Sequence, residues 1–148
     1  MDDFAAMGVA LDEARLALAH GDVPVGAVAL RGGQVIARAH NERELTQDPT
    51  SHAELLVVRR AAETLGTWRL DGVTVVVTLE PCIQCAGALL LARVERVVFG
   101  VDDPKGGAAG SLYNVFADPR LNHNPDLTVR VRSDECSELL TEFFASKR

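Results

Sequence analysis

The sequence predicts an α/β fold in which helices cover a mixed β-sheet. Three observations carry that expectation. Two short strand patterns near the N-terminus flank Arg31-Gly32-Gly33, and paired glycines suit a tight hairpin turn. Residues 73–79, "VTVVVTL", form a continuous β-branched run of the kind found in buried strands. After the hairpin, strand-like and helix-like segments alternate to the end of the chain, the pattern of a layered α/β protein.

The elements follow in order. Phe4, Met7, Leu11, Ala14 and Leu18 recur at helical spacing, and Gly21 is a natural stop. "VPVGAVAL" (23–30) and "QVIARAH" (34–40) read as the hairpin strands. A helix should start near Ser51 and run through "AELLVVRRAAETL" to Gly66. Asp71-Gly72 makes a turn before the 73–79 strand. A helix beginning at Cys82 leads to the strand "RVVFG" and then to a glycine-rich loop, "VDDPKGGAAG". A short helix near Leu112 to Phe116, a strand "LTVRV" and a last helix from Asp134 complete the chain.

Composition bounds the function. At 148 residues the chain is expected to form one domain, 1–148. With 47% hydrophobic and 24% charged residues it is an ordinary globular composition, without an apolar run near the ~20 residues of a membrane span. The start, "MDDFAAMGVALDEA", lacks the basic opening of a signal peptide, which argues against export. Three cysteines are too few and too odd in number for a disulfide framework, so a reducing, cytoplasmic setting is expected. A net charge of −6 argues against a broadly basic nucleic-acid binder, while leaving room for a local basic patch.

The chemistry concentrates in "TVVVTLEPCIQCAGALLLA", residues 74–92. Cys82 and Cys85 fall where a strand meets a helix. Free N–H groups and partial positive charge at a helix start favour the thiolate, the form that attacks and binds metal. Alone, this spacing serves a redox pair as well as a metal site. "DPTSHAE", residues 48–54, lies at a second predicted helix start. His52 with Cys82 and Cys85 makes three ligands suited to zinc and leaves a fourth tetrahedral position open, the catalytic arrangement. Glu54 can then face that position as a proton carrier. H-x-E with P-C-x-x-C is the recorded signature of zinc nucleobase deaminases.

Simpler readings stand beside this one. Ser51 and Glu54 match a capping box, in which Glu54 only satisfies backbone donors. Either His40 or His123 could close the site as a fourth ligand and make the zinc structural. Cys136 reads as an ordinary buried cysteine, and His20, His40 and His123 as structural or surface residues.

With "HAE" and "TLEPCIQCAGAL" in view, the chain closely resembles the bacterial tRNA adenosine deaminases of the cytidine-deaminase-like superfamily. The likeness extends to "DVPVGAV" (22–28), Asn41, "VVFGVDDPKGGAAGSL" (97–112), "LNH" (121–123) and "ECSELLTEFF" (135–144), nearly the whole chain. The 97–112 stretch looks like the tRNA enzymes, whereas the other two motifs also occur in cytidine, guanine and nucleotide deaminases. The resemblance implies a three-layer α/β/α sandwich with a five-stranded mixed sheet, one Zn2+ per subunit and a homodimer. It implies hydrolytic conversion of the wobble adenosine in a tRNA anticodon loop to inosine. By the same resemblance His52, Cys82 and Cys85 match the zinc ligands and Glu54 the proton shuttle. Asn41 matches a contact to the purine ring nitrogen. Ala53 and the backbone around Val23 to Ala27, Val25 included, match the pocket wall, and Asp103 an acidic residue near the ribose. The glycines at 106, 107 and 110 suit close approach of backbone to a nucleotide. Two departures stand out: Asp102 occupies a position where a basic residue stands in relatives, and the basic tail is only Lys147 and Arg148. Lys105, Arg120, Lys147 and Arg148 are the candidate cations for RNA. The alternative is a zinc deaminase of a free base, nucleoside or nucleotide, which the acidic charge favours and the 97–112 loop opposes.

Overall fold

The computed structural model describes residues 1–147; Arg148 of the expected basic tail lies outside the described residues. Helix α1 spans Asp3–Leu16, with the Asp2 carboxylate accepting from the Ala5 N–H at 2.8 Å. Its buried face is built from Ala6, Met7, Ala10, Leu11 and Ala14. Gly26 explains so many alanines: a Cβ there would lie 2.0 Å from the Ala10 carbonyl oxygen, so helix and strand approach backbone to backbone. Phe4 and Leu18, expected on the same stripe, are instead 62% and 44% exposed. Phe4 lies at the helix start beneath the Arg132 guanidinium, and Leu18 falls in a 3-10 turn, Ala17–His20, after the helix ends.

Strands β1 (Gly26–Arg31) and β2 (Gln34–His40) form the expected hairpin. Gly32 and Gly33 both hold positive φ, 59° and 75°, as the two-residue turn requires. β1 begins three residues later than expected. Pro24 cannot donate to a ladder, and the Val25 N–H turns back onto the Val23 carbonyl at 2.9 Å. A four-residue helix that the sequence did not suggest, α2 (Arg43–Thr46), follows β2. Its first N–H groups are satisfied from far along the chain: the Asp22 carboxylate accepts from Glu44 at 2.7 Å and Leu45 at 3.1 Å.

Helix α3 (Ala53–Leu65) stops at Gly66, φ 70°, and β3 (Val73–Leu79) is the β-branched run. Helix α4 (Ile83–Leu91) leads to β4 (Arg96–Val101). The short helix expected near 112–116 is only a 3-10 turn, Val115–Ala117, because Leu112 and Tyr113 find no core to face. Strand β5 stops at Thr128, within Asp126–Thr128, where "LTVRV" suggested Val131. Arg130 and Arg132 hold left-handed φ of 60° and 54°, which no strand continues. Helix α5 covers Ser133–Ser146.

The sheet runs β2-β1-β3-β4-β5, antiparallel through the hairpin and β1/β3, then parallel through β4 and β5. It is the five-stranded mixed sheet expected. Period-two alternation splits each strand between two faces. Val75, Val77, Val97 and Phe99 pack with Val57 and Ala61 of α3 and Leu89 of α4. Val28, Leu30, Val76 and Val98 pack with Met7 and Leu11 of α1 and Cys136 of α5. Each such fully buried side chain is worth about 1.5–3 kcal/mol. This sandwich anchors α3 and α4 on one face, and both helices start beside the carboxyl end of β3. Among the described residues no helix is long and apolar enough to cross a membrane.

Candidate active site

His52 and Cys82 are the N-cap residues of α3 and α4, in extended backbone conformation, and neither side chain caps its own helix. Both are therefore free to project between the two helix starts. His52 Nδ1 lies 3.5 Å from Cys82 Sγ and 3.6 Å from Cys85 Sγ, and one donor atom from each residue falls within 4.8 Å of the others. A tetrahedral ion with bonds of about 2.3 Å to sulfur and 2.0–2.1 Å to nitrogen separates N from S by about 3.5 Å. The spacing fits such an ion without rearrangement.

The thiols do not behave alike. Hydrogen bonding from Cys85, then from His52, outweighs burial and brings Cys82 down to about 4. Its bond to Cys82, with burial, pushes Cys85 up. Cys82 is lowered as expected, but chiefly by side-chain hydrogen bonds rather than by the helix start, and its buried neighbour is raised. His52 is pushed up, chiefly by its hydrogen bond to Cys82. Metal ligation needs deprotonated sulfur and a neutral imidazole, so a bound cation would displace the protons in these hydrogen bonds.

Glu54, 4% exposed, stands in the first turn of α3. Burial pushes its carboxyl up to about 7, with the Cys82 charge adding to the effect. A carboxyl near neutrality can both take and give a proton. It does not form the capping box that S-x-x-E suggested. The cap is His52, not Ser51, and the Ser51 hydroxyl pairs with Thr46 Oγ1 at 3.4 Å. The candidate fourth ligands lie elsewhere: His40 Nδ1 bonds Glu13 at 2.9 Å, and His123 Nε2 bonds the Val94 carbonyl at 2.6 Å. Among the described residues the cluster has three members.

The cluster opens into a cleft of about 160 Å³. Val23, Val25, Ala53 and Leu79 supply apolar wall, and Asn41, Arg43, Glu80 and Asp103 the polar groups. Of the residues selected from sequence, His52, Glu54, Cys82, Asn41, Ala53, Val25 and Asp103 line it, and Cys85 is buried behind Cys82; the glycines at 106, 107 and 110 and the cations Lys105 and Arg120 are not part of the lining. Asn41 is fixed at both ends: Nδ2 donates to the Val23 carbonyl at 3.2 Å, and Oδ1 accepts from the Arg43 N–H at 3.1 Å. One Nδ2 hydrogen stays free for a ligand. Asp103 Oδ1 accepts from the Lys105 and Gly106 N–H groups at 3.1 and 3.2 Å. Gly107 has a packing reason to be bare: a Cβ there would lie 2.2 Å from Glu80 Cδ, so its bareness makes room for that carboxyl.

The chain matches the MafB19-like deaminase family over residues 1–148. It is 50% identical over 142 residues to the tRNA-specific adenosine deaminase of Bacillus subtilis (strain 168), covering 96% of this chain and 88% of that one. The chain belongs to the tRNA-specific adenosine deaminase family. A solved structure from a study of A-to-I editing by tRNA:A34 deaminases superposes with a TM-score of 0.88 at 44% identity, covering 92% of this chain and 99% of that one. Likeness falls for a guanine deaminase from Bacillus subtilis: TM-score 0.67, 28% identity, 99% and 94% covered.

Within this deaminase, sequence reasoning missed Glu80 and Arg43. Glu80 carried a signal, being a charged residue directly after a seven-residue strand and two before Cys82. Burial would raise its carboxyl, but hydrogen bonds from Ser111, Asp103 and Ala109 hold it below the usual range. Arg43 carried none. It is the only arginine or lysine lining the cleft and has no carboxylate partner among the described residues. Arg120, proposed as an RNA contact, is paired with Asp118 at 2.6 Å, and Asp102 is paired with Arg130 at 2.9 Å.

Proposed function

We propose that the protein is a zinc hydrolase that converts adenosine to inosine at the wobble position of a tRNA anticodon loop. The observation that carries the chemistry is the three-donor cluster with a buried carboxyl of near-neutral pKa beside it, both open to one cleft. The substrate is supported by the tRNA-specific relatives and by the 97–112 loop.

His52, Cys82 and Cys85 would hold one Zn2+ per subunit, which when bound supplies a water acidified to a pKa near 7. The reaction replaces the amine at C6 of adenine with oxygen from water and releases ammonia. Glu54 takes one proton from the attacking water and passes it to ring N1, then takes the second from the new C6 hydroxyl and passes it to the departing amine, which leaves as ammonia. Such acid–base work is worth roughly 10²–10⁴ in rate. Asn41 offers its free Nδ2 hydrogen to N7, an acceptor that cytosine lacks. Val25 and Ala53 flank the ring, and Asp103 faces the ribose. A single-stranded loop lets the base leave its stack at lower cost than a duplex does.

The same reading takes residues 1–148 as one deaminase domain in the cytoplasm, acting as a homodimer. Its support for a second copy is an apolar stripe at one-turn spacing along α4, where Ile83 and Leu91 are exposed on either side of Gly87. The alternative, a deaminase of a free base or nucleoside, is favoured by the net charge of −6 and by ion pairing of Arg120 and Arg130. An inosine assay on a tRNA anticodon stem-loop, run beside free adenosine, cytidine and guanine with zinc measured on the same sample, decides between them. Editing of the stem-loop alone supports the proposal, and turnover of a free substrate alone overturns it.

A further inference from the structure

Glu80 is buried at the carboxyl end of β3, 2% exposed, directly before Pro81 and Cys82. Its partners all come from one segment. Oε1 accepts from the Asp103 N–H at 3.0 Å and from the Ser111 hydroxyl. Oε2 accepts from the Ala109 and Ser111 N–H groups, each at 3.0 Å. A carboxylate has about four acceptor sites, and four donors occupy them. No arginine or lysine pairs with it among the described residues. Burying a carboxylate costs several kcal/mol unless its oxygens are hydrogen-bonded, and here four donors from the loop meet them. Hydrogen bonds to an ionised acceptor are about twice as strong as neutral ones and more directional. The loop is tied to the same spot by backbone as well: the Ala108 N–H donates to the Pro81 carbonyl at 2.8 Å, and Gly107 pairs with Cys82.

We propose that Glu80 is a positioning residue for the substrate: its carboxylate sets the 103–111 loop, and with it Asp103, at a fixed distance from the cluster on α4. The proposal rests on the deaminase reading above. Glu80 lines the cleft, but its acceptor sites are filled by the loop, so it neither carries a proton nor touches the nucleotide. It works as a ruler between two parts of the site. One end is bonded to the residue before Cys82 through the chain, and the other to the amide of Asp103.

Glu80→Gln tests this because amide geometry makes its effect local. With the Gln carbonyl turned to the Ala109 and Ser111 N–H groups, its NH2 faces the Asp103 N–H, and the Ser111 hydroxyl turns to accept. Only the Asp103 anchor is then lost. The expected result is unchanged zinc content, with KM for the anticodon stem-loop raised about tenfold, the worth of one charge-assisted hydrogen bond. kcat should fall much less, and amide hydrogen exchange across 102–111 should accelerate while that of α3 and α4 does not. Ser111→Ala, which leaves the three N–H donors, should show a smaller shift in the same direction and serves if the first variant folds poorly. Unchanged KM and loop exchange would overturn the proposal. So would a collapse of kcat at constant KM with zinc retained, since that is the mark of a proton carrier. If the wild-type protein deaminates only a free substrate, the tRNA reading fails, and Glu80 is judged by the KM for that substrate and by the same exchange measurement.

Discussion

The cluster at the starts of α3 and α4 and the loop 103–111 border the same cleft but are held by different means. His52, Cys82 and Cys85 sit at or just inside the first turns of two helices that are packed against the sheet. Their positions follow from short-range structure and a shared core. The loop has no strand or helix of its own to stiffen its centre. It is pinned by the Glu80 carboxylate, 23 to 31 residues back in the chain, and by backbone contacts to Pro81 and Cys82. The cluster thus rides on two packed helices, and the loop hangs from one short segment, 80–82. Disturbing the first should destroy chemistry, whereas disturbing the second should loosen recognition and leave chemistry in place.

The largest expected effect breaks the first region. His52→Ala or Cys82→Ser should reduce bound zinc from about one ion per chain to far less and bring deamination to background, read by elemental analysis and an inosine assay. Retention of a full ion by either variant would remove the cluster from the proposed site.

Next comes Glu54→Ala, which should retain zinc and lose at least ~10²-fold in turnover. The same residue gives a signed pH effect in the metal-free protein. Its folded pKa of about 7 stands above the ordinary value of 4.5, so the native state holds a proton that the unfolded chain releases. Its contribution is fully present below pH 4.5 and is lost as pH rises toward 7, on the order of 3 kcal/mol. Glu54→Gln should flatten that part of the stability profile in chelated protein; an identical profile for both proteins would show that Glu54 does not titrate there.

Gly107→Ala acts on the loop alone by forcing a methyl into the Glu80 carboxyl. A stability loss of about 1–3 kcal/mol is expected, as for other overpacked sites. Zinc should remain bound while KM for RNA rises. A loss of zinc in proportion to the loss of binding would mean that loop and cluster are one unit.

The smallest effect concerns Arg43. Arg43→Ala should flatten the salt dependence of stem-loop binding by about 0.7–0.9 in log–log slope, one phosphate contact. Removing Lys147 and Arg148 should do the same for the tail. Arg120→Ala should change the slope little, because Asp118 already neutralises that side chain. A larger change for Arg120 than for Arg43 would place the RNA path away from the cleft.

Much of this was legible in the sequence. Element types follow from periodicity, and the 73–79 strand and the Gly32-Gly33 turn fall where the pattern put them. Errors gathered where a distant contact outvotes local preference. The apolar stripe of α1 is shifted by the close approach at Gly26, α2 exists because Asp22 caps it from 22 and 23 residues away, and β5 is cut short by left-handed arginines. S-x-x-E matched a capping box, yet the helix began one residue later and freed Glu54 for the cleft.

By itself, then, the sequence determined the layered α/β class and the residues able to bind metal and move a proton. Those properties depend on side-chain chemistry and on spacings of a few residues, which chain connectivity enforces. Only the tertiary structure decided that His40 and His123 stay out of the cluster, that Glu80 holds the loop and that Gly107 is bare on its account. Each of these joins groups tens of residues apart. Such contacts form because burying the two faces of one sheet brings distant segments together, and no local pattern encodes which of them will meet.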